Sequence, residues 1–307
     1  MRLLSLSFLL MLMNQCALAS PDGEVVCRKQ FKTSNNCYRL YQPQPPTKAL
    51  VVLLPYFGSD ANEFSSAALP ALLAKQNIAT LSLSASGYLH DDDLATLNSL
   101  MKEVAQTIKL PSGSLVIGGI SAGGTGAVRY AEYCLSGHCD SIVTPVAVFS
   151  VDAPLDFVAW WNRETMNLKR GNAKSGLEES QEILGALRSA MGGSPAQAPQ
   201  AYRSRSPFLA SAKDGGNARL LRNLPVRLYT EPDVAWMIEN KGRDYYTMNA
   251  QDQAALILQL QALGNIHAEL ITTTGKGFRP AGTRNPHSWT IVDEPNLAAW
   301  IVNTLKR

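Results

Sequence analysis

Gly119-Ile120-Ser121-Ala122-Gly123 sets a serine between two glycines where an apolar, strand-like run, Ser114 to Ile120, gives way to a helical pattern, Gly126 to Cys134. A serine on that bend presents its hydroxyl at a helix N-terminus, whose amides favour developing negative charge. Gly119 and Gly123 are needed because side chains there would collide with the neighbouring strand and helix backbones. The chemistry is that of a nucleophile for acyl transfer. A phosphate-cradling turn is the rival use of such glycines, but no G-x-G-x-x-G aligns within 118–126 and no Gly-Lys-Ser/Thr follows. A purely structural turn is the other alternative.

A serine nucleophile needs a base, and the chain has 4 histidines, few enough to sort. His90 precedes Asp91-Asp92-Asp93 at a helix start, a capping or surface position. His138 lies between Cys134 and Cys139, and His267 sits inside an alternating strand. His287 follows a long loop, Gly275 to Pro286, and opens the last helical stretch, from where it can reach back to the serine. It is the expected base. The base in turn needs a carboxylate to fix its tautomer and stabilise the imidazolium. Pro225 to Thr230 reads as a strand running into Glu231-Pro232-Asp233, so Asp233 is the expected acid and Glu231 the reserve. Asp152, ending another strand, is a third acid at the same edge, read as a cap or structural residue.

These residues must be brought together by a sheet. Short β-rich runs alternate with helical patterns along the chain, the signature of a largely parallel sheet covered by helices. Ala49 to Leu54, Ile78 to Leu83, Ser114 to Ile120, Ile142 to Val151, Pro225 to Thr230 and Ile266 to Thr272 read as its strands. Val25 to Gln30 and Cys37 to Tyr41 add an antiparallel hairpin, for about eight in all. Helices are expected over Asn62–Gln76, Asp91–Ile108, Gln251–Leu263 and Ser288–Leu305. The stretch 152–223 is too long for a simple crossover and reads as a small helical cap insertion. Trp160 and Trp161 in it, and Trp236 beyond, either line a substrate wall or pack the cap on the sheet.

The chain has 307 residues, 46 % of them hydrophobic and 17 % charged, which excludes a disordered protein. A net charge of +3 without clustered Lys/Arg runs gives no case for nucleic-acid binding. At the N-terminus, Arg2, the apolar Leu3 to Met13 and Ala17-Leu18-Ala19 read as a signal peptide cleaved after Ala19, hence a secreted or periplasmic protein of one domain over 20–307. Lipidation at Cys16 is the rival, and Asn14-Gln15 before it fits poorly. The apolar run is too short to span a bilayer, so the mature chain is expected to carry no membrane span. Cleavage removes Cys16 and leaves four cysteines, for which proximity favours Cys27–Cys37 and Cys134–Cys139 disulfides. Zinc at Cys134, His138 and Cys139 is the weaker alternative, since no second ligand pair is evident.

The order Ser121, Asp233, His287, each following a strand, resembles the α/β-hydrolase fold, and the resemblance runs over most of the chain by element order. Ala201 to Phe208, with Tyr202 and Ser206-Pro207, is also similar to a Tyr…Ser-Pro stretch of esterase and peptidase members. The resemblance implies an oxyanion hole from the Ala122 amide and one after the third strand, here Phe57; Pro55-Tyr56 stands where that family usually has His-Gly. It further implies a serine hydrolase needing neither metal nor organic cofactor and acting on a small-molecule or peptide acyl substrate. A carboxylic ester is the leading substrate; a peptidase, or a binding protein that keeps the fold without activity, are the alternatives.

Overall fold

The computed structural model describes residues 23, 25–27, 37–84, 86–171, 174–279 and 281–306. The signal-peptide reading and the hairpin tip at 28–36 lie outside them. Among the described residues, no helix is long and apolar enough to cross a membrane.

Eight strands form one sheet: β1 (Val25–Cys27), β2 (Cys37–Tyr41), β3 (Ala49–Leu54), β4 (Ile78–Leu83), β5 (Leu115–Ile120), β6 (Pro145–Val151), β7 (Val226–Thr230) and β8 (Ala268–Thr272). Their spatial order is β1-β2-β4-β3-β5-β6-β7-β8. The β1–β2 and β2–β4 pairs are antiparallel and all the others parallel. β3 to β7 have no exposed residue, as expected for strands covered on both faces. Leu54, Ile120, Val151, Thr230 and Thr272 therefore end at one carboxyl edge, where ligand sites of open α/β sheets form.

Helices cover both faces. α1 (Leu69–Ala74) and α9 (Glu294–Thr304) close one side, over a core containing Val51, Leu53, Phe149 and Ile301. On the other side, α2 (Asp91–Thr107), α3 (Ala122–Tyr133) and α8 (Ala250–Ala262) cover Val52, Ile117, Val128 and Leu256. Between β6 and β7 the chain builds α4 (Phe157–Arg170), α5 (Lys174–Met191) and α6 (Pro199–Arg205), which pack on Phe157, Leu187, Met191 and Tyr202. α7 (Val234–Lys241) follows β7 and has no buried residue. Arg163 of α4 grips Asp252 of α8 with two bonds of 2.6 and 2.8 Å, and that carboxylate also accepts the Leu155 and Asp156 amides. One aspartate thus ties the start of the insertion to the helix behind β7.

Both disulfides form as expected. Cys27 and Cys37 are opposed across the β1–β2 pair, and Cys139 returns to Cys134 after the turn that ends α3. Their pairing occupies the thiolates a zinc site would need. Two helix expectations shrink. Over Asn62–Gln76 only Leu69–Ala74 is α-helical, after a series of turns at 61–66. Over Ser288–Leu305 a short 3-10 turn, Trp289–Ile291, precedes α9. Pro70 and Pro295 explain the new starts, because proline suits a helix's first turn and disrupts its interior.

Candidate active site

Ser121 sits between β5 and α3 at φ 54°, ψ −124°. An L-residue adopts such a backbone only when its surroundings impose it, at a cost of about 1–3 kcal/mol. Those surroundings are explicit. The Ser121 amide donates to the Val151 carbonyl (2.9 Å), and the Ser121 carbonyl accepts from Thr125 N (3.0 Å). A Cβ on Gly119 or Gly123 would overlap the Leu54 carbonyl of the neighbouring strand, so both must be glycine. The bend therefore lifts the serine off the strand end, as the spacing of its glycines led one to expect. Ala122 opens α3 directly behind it. Phe57 lies in the turn after β3 with its ring 74 % exposed.

Ser121, His287 and Asp152 line one cleft of about 790 Å³. His287 Nδ1 lies 2.6 Å from Asp152 Oδ2. Burial opposes protonation of the imidazole, but the Asp152 hydrogen bond and charge, with Glu179 adding to them, raise its pKa above the usual histidine value.

This corrects the expected acid: the carboxylate on His287 is neither Asp233 nor Glu231. Asp233 caps α7, accepting from Trp236 N (3.0 Å), and its other oxygen pairs with Arg284 (2.8 Å). Glu231, 3 % exposed, accepts Thr273 Oγ1 and Lys276 N (both 2.8 Å) and Arg284 Nη2 (2.5 Å). Both acids are consumed by the loop that precedes His287. Asp152 is aimed instead by its backbone, at φ 43°. Its amide donates to the Tyr229 carbonyl (2.8 Å), and its own carbonyl accepts Asn249 Nδ2 (2.9 Å). Gln253 completes the clamp: with its carboxamide oriented as the surrounding donors and acceptors require, its oxygen accepts from the Asp152 and Ala153 amides (2.9 and 2.7 Å). Aspartate tolerates the left-handed region better than most residues, the one local signal that could have singled it out.

Tyr56 had no expected role beyond displacing a glycine. Its hydroxyl accepts from Trp289 N (3.2 Å), and its ring meets His287 edge-on at 5.8 Å between centroids. The loop after β3 is thereby joined to the histidine loop. Burial pushes the Tyr56 hydroxyl's pKa far up, which keeps it neutral.

Charged residues of the cap and of the segment around α7 line the cleft as well. Arg243 bonds Glu164 (3.1 Å) and lies 3.6 Å from Glu179, which also pairs with Lys241 (3.4 Å). Trp160 and Trp236 line the cleft, whereas Trp161 packs on Tyr202 and under Arg188 inside the cap. The other histidines stand apart: the His90 amide bonds the Asp93 carboxylate at the start of α2, and His138 stacks on Tyr133.

The strand order, the serine bend after β5 and the histidine after β8 decide the architecture. The fold is that of the α/β-hydrolases. Solved structures with this fold include MPT51 (FbpC1) of Mycobacterium tuberculosis, at TM-score 0.56 and 16 % identity, covering 88 % of this chain and 93 % of that one. Esterase B of Lactobacillus rhamnosis matches at TM-score 0.54 and 15 % identity, over 94 % and 88 % of the two chains. An acylaminoacyl peptidase of Pyrococcus horikoshii matches at TM-score 0.55 and 12 % identity over 93 % of this chain, which spans 41 % of that one. No family model matches this chain, and no curated protein matches its sequence. The carboxylate in contact with His287 follows β6, whereas the expected one follows β7.

Proposed function

We propose that this protein is an exported serine hydrolase that cleaves carboxylic esters through an acyl-enzyme, with Ser121, His287 and Asp152 as its triad. The observation that carries the reading is the 2.6 Å contact between His287 Nδ1 and Asp152 in a cleft that is also lined by a serine held on a strained bend. With Nδ1 engaged by the carboxylate, Nε2 is the nitrogen that takes the Ser121 proton as the hydroxyl attacks the ester carbonyl. The imidazolium then protonates the leaving alcohol, and water repeats the sequence on the acyl-enzyme. The Ala122 amide, with Phe57 supplying the second, would hold the oxyanion; losing one such donor typically costs about 3–4 kcal/mol. The two disulfides suit an oxidising compartment and so agree with export.

A second reading, a peptidase, is favoured by Arg279. Its side chain lines the cleft and forms no ion pair among the described residues, so it could meet a substrate carboxylate. Fluorophosphonate labelling followed by turnover of short acyl esters and of peptides separates the readings. Wild type should label and Ser121→Ala should not. Folded wild type that fails to label sinks the hydrolase reading, and turnover of peptides but not esters favours the second.

A further inference from the structure

The position at which a strand-7 acid would serve the histidine is not empty: it holds a buried carboxylate with a different set of partners. Every polar side chain or amide that Glu231 gathers belongs to the segment between β8 and His287. Thr273 Oγ1 donates to Oε2 (2.8 Å), Lys276 N to Oε1 and Oε2 (2.8 and 3.1 Å), and Arg284 Nη2 to Oε1 (2.5 Å). Arg284 extends the arrangement. The same Nη2 reaches Asp233 (2.8 Å), Nη1 donates to the Gly277 carbonyl (3.2 Å), and the guanidinium lies 5.4 Å above the Phe278 ring. The last link is local: Asn285 N donates to the Gly277 carbonyl (2.7 Å), and Asn285 Oδ1 accepts the His287 amide (3.2 Å). A carboxylate buried to this degree is tolerated only if its charge is matched and its lone pairs are filled. The loop arrangement that fills them here is the one that places His287 against Asp152.

We infer that Glu231 is a positioning residue for His287, acting through the Arg284 loop while Asp152 is the carboxylate that contacts the imidazole. This rests on the triad proposed above. A displacement of the histidine by about 1 Å would cost on the order of 100-fold in rate.

The test compares Glu231→Gln, nearly isosteric but uncharged, with Asp152→Asn and wild type, using a 4-nitrophenyl acetate assay, proton NMR of the His287 ring and hydrogen exchange. In Glu231→Gln, kcat should fall roughly 10- to 100-fold with little change in KM. The acid-limb pKa should stay at the wild-type value, because the charge beside the imidazole remains. The hydrogen-bonded Nδ1 proton signal should broaden, and amides over 273–287 should exchange faster while those of α3 and α9 do not. Asp152→Asn should lose the Nδ1 signal and lower the pKa without loosening the loop. An acid limb that moves in Glu231→Gln, or a loop and Nδ1 signal indistinguishable from wild type, overturns the inference. Glu231→Asp should restore part of the rate; equal loss in both variants also counts against it. The NMR and exchange readouts stand even if wild type turns over no ester, an outcome that defeats the hydrolase reading instead.

Discussion

His287, delivered by the loop after β8, meets Asp152 at the end of β6, two strands away across the sheet, with 2.6 Å between Nδ1 and Oδ2. β7 lies between them, and its own terminal acids are turned toward Arg284. Asp152 takes a left-handed backbone at φ 43°, with its amide bonded to the Tyr229 carbonyl near the end of β7.

Replacing Asp152 by Asn should lower kcat/KM for a short acyl ester by about 10³- to 10⁴-fold, since the amide holds the wrong imidazole tautomer. Asp233→Asn should cost less than roughly tenfold, because it removes only one of two carboxylates on Arg284. Steady-state kinetics on both variants decides the assignment; the reverse ranking returns the acid to β7.

The pH–rate profile carries the sign of the His287 shift. The base works neutral, and its pKa is raised chiefly by the Asp152 hydrogen bond and charge, against burial. Activity should therefore fall as pH drops through a value above about 6.5, and the limb should move to lower pH in Asp152→Asn. For stability the same raised pKa gives a contribution complete below the unfolded value and lost as pH rises through the folded one.

Tyr56→Phe removes the acceptor of the Trp289 amide (3.2 Å). Leaving that donor unsatisfied should destabilise the protein by about 1–3 kcal/mol in urea unfolding. It should also lower kcat more than it raises KM, because the bond joins the loop after β3 to the loop carrying His287.

Asp252→Asn strips the charge from a pair whose members are both 4 % exposed and leaves the buried Arg163 guanidinium without its directly bonded carboxylate. A loss of about 3–5 kcal/mol is expected from chemical denaturation. Because Asp252 holds the Leu155 and Asp156 amides, limited proteolysis should reach the insertion between β6 and β7 before the sheet. A variant as stable as wild type removes the claim that this pair fastens the cap.

Strand runs such as Ala49–Leu54 and Leu115–Ile120 were legible because burial on both faces leaves an unbroken apolar signature in local sequence. The serine bend was equally legible, since Gly119 and Gly123 are demanded by contacts within a few residues and one neighbouring strand. His287 followed by elimination among 4 histidines. The helix over Asn62–Gln76 was read too long because apolar spacing does not report where turns 61–66 end.

The sequence by itself determined the strands along the chain and the serine bend, because each rests on periodicity or on sterics within a short window. Only the tertiary structure decided which of three acids at the sheet edge serves the histidine. Asp152, Glu231 and Asp233 are chemically near-equivalent and all follow strands. What separates them is long-range: Asn249, the N-cap of α8, and Gln253 on α8 hold the Asp152 backbone, while Arg284, Thr273 and Lys276 claim Glu231. Hydrogen bonds across 42 positions of chain or more leave no local pattern to read.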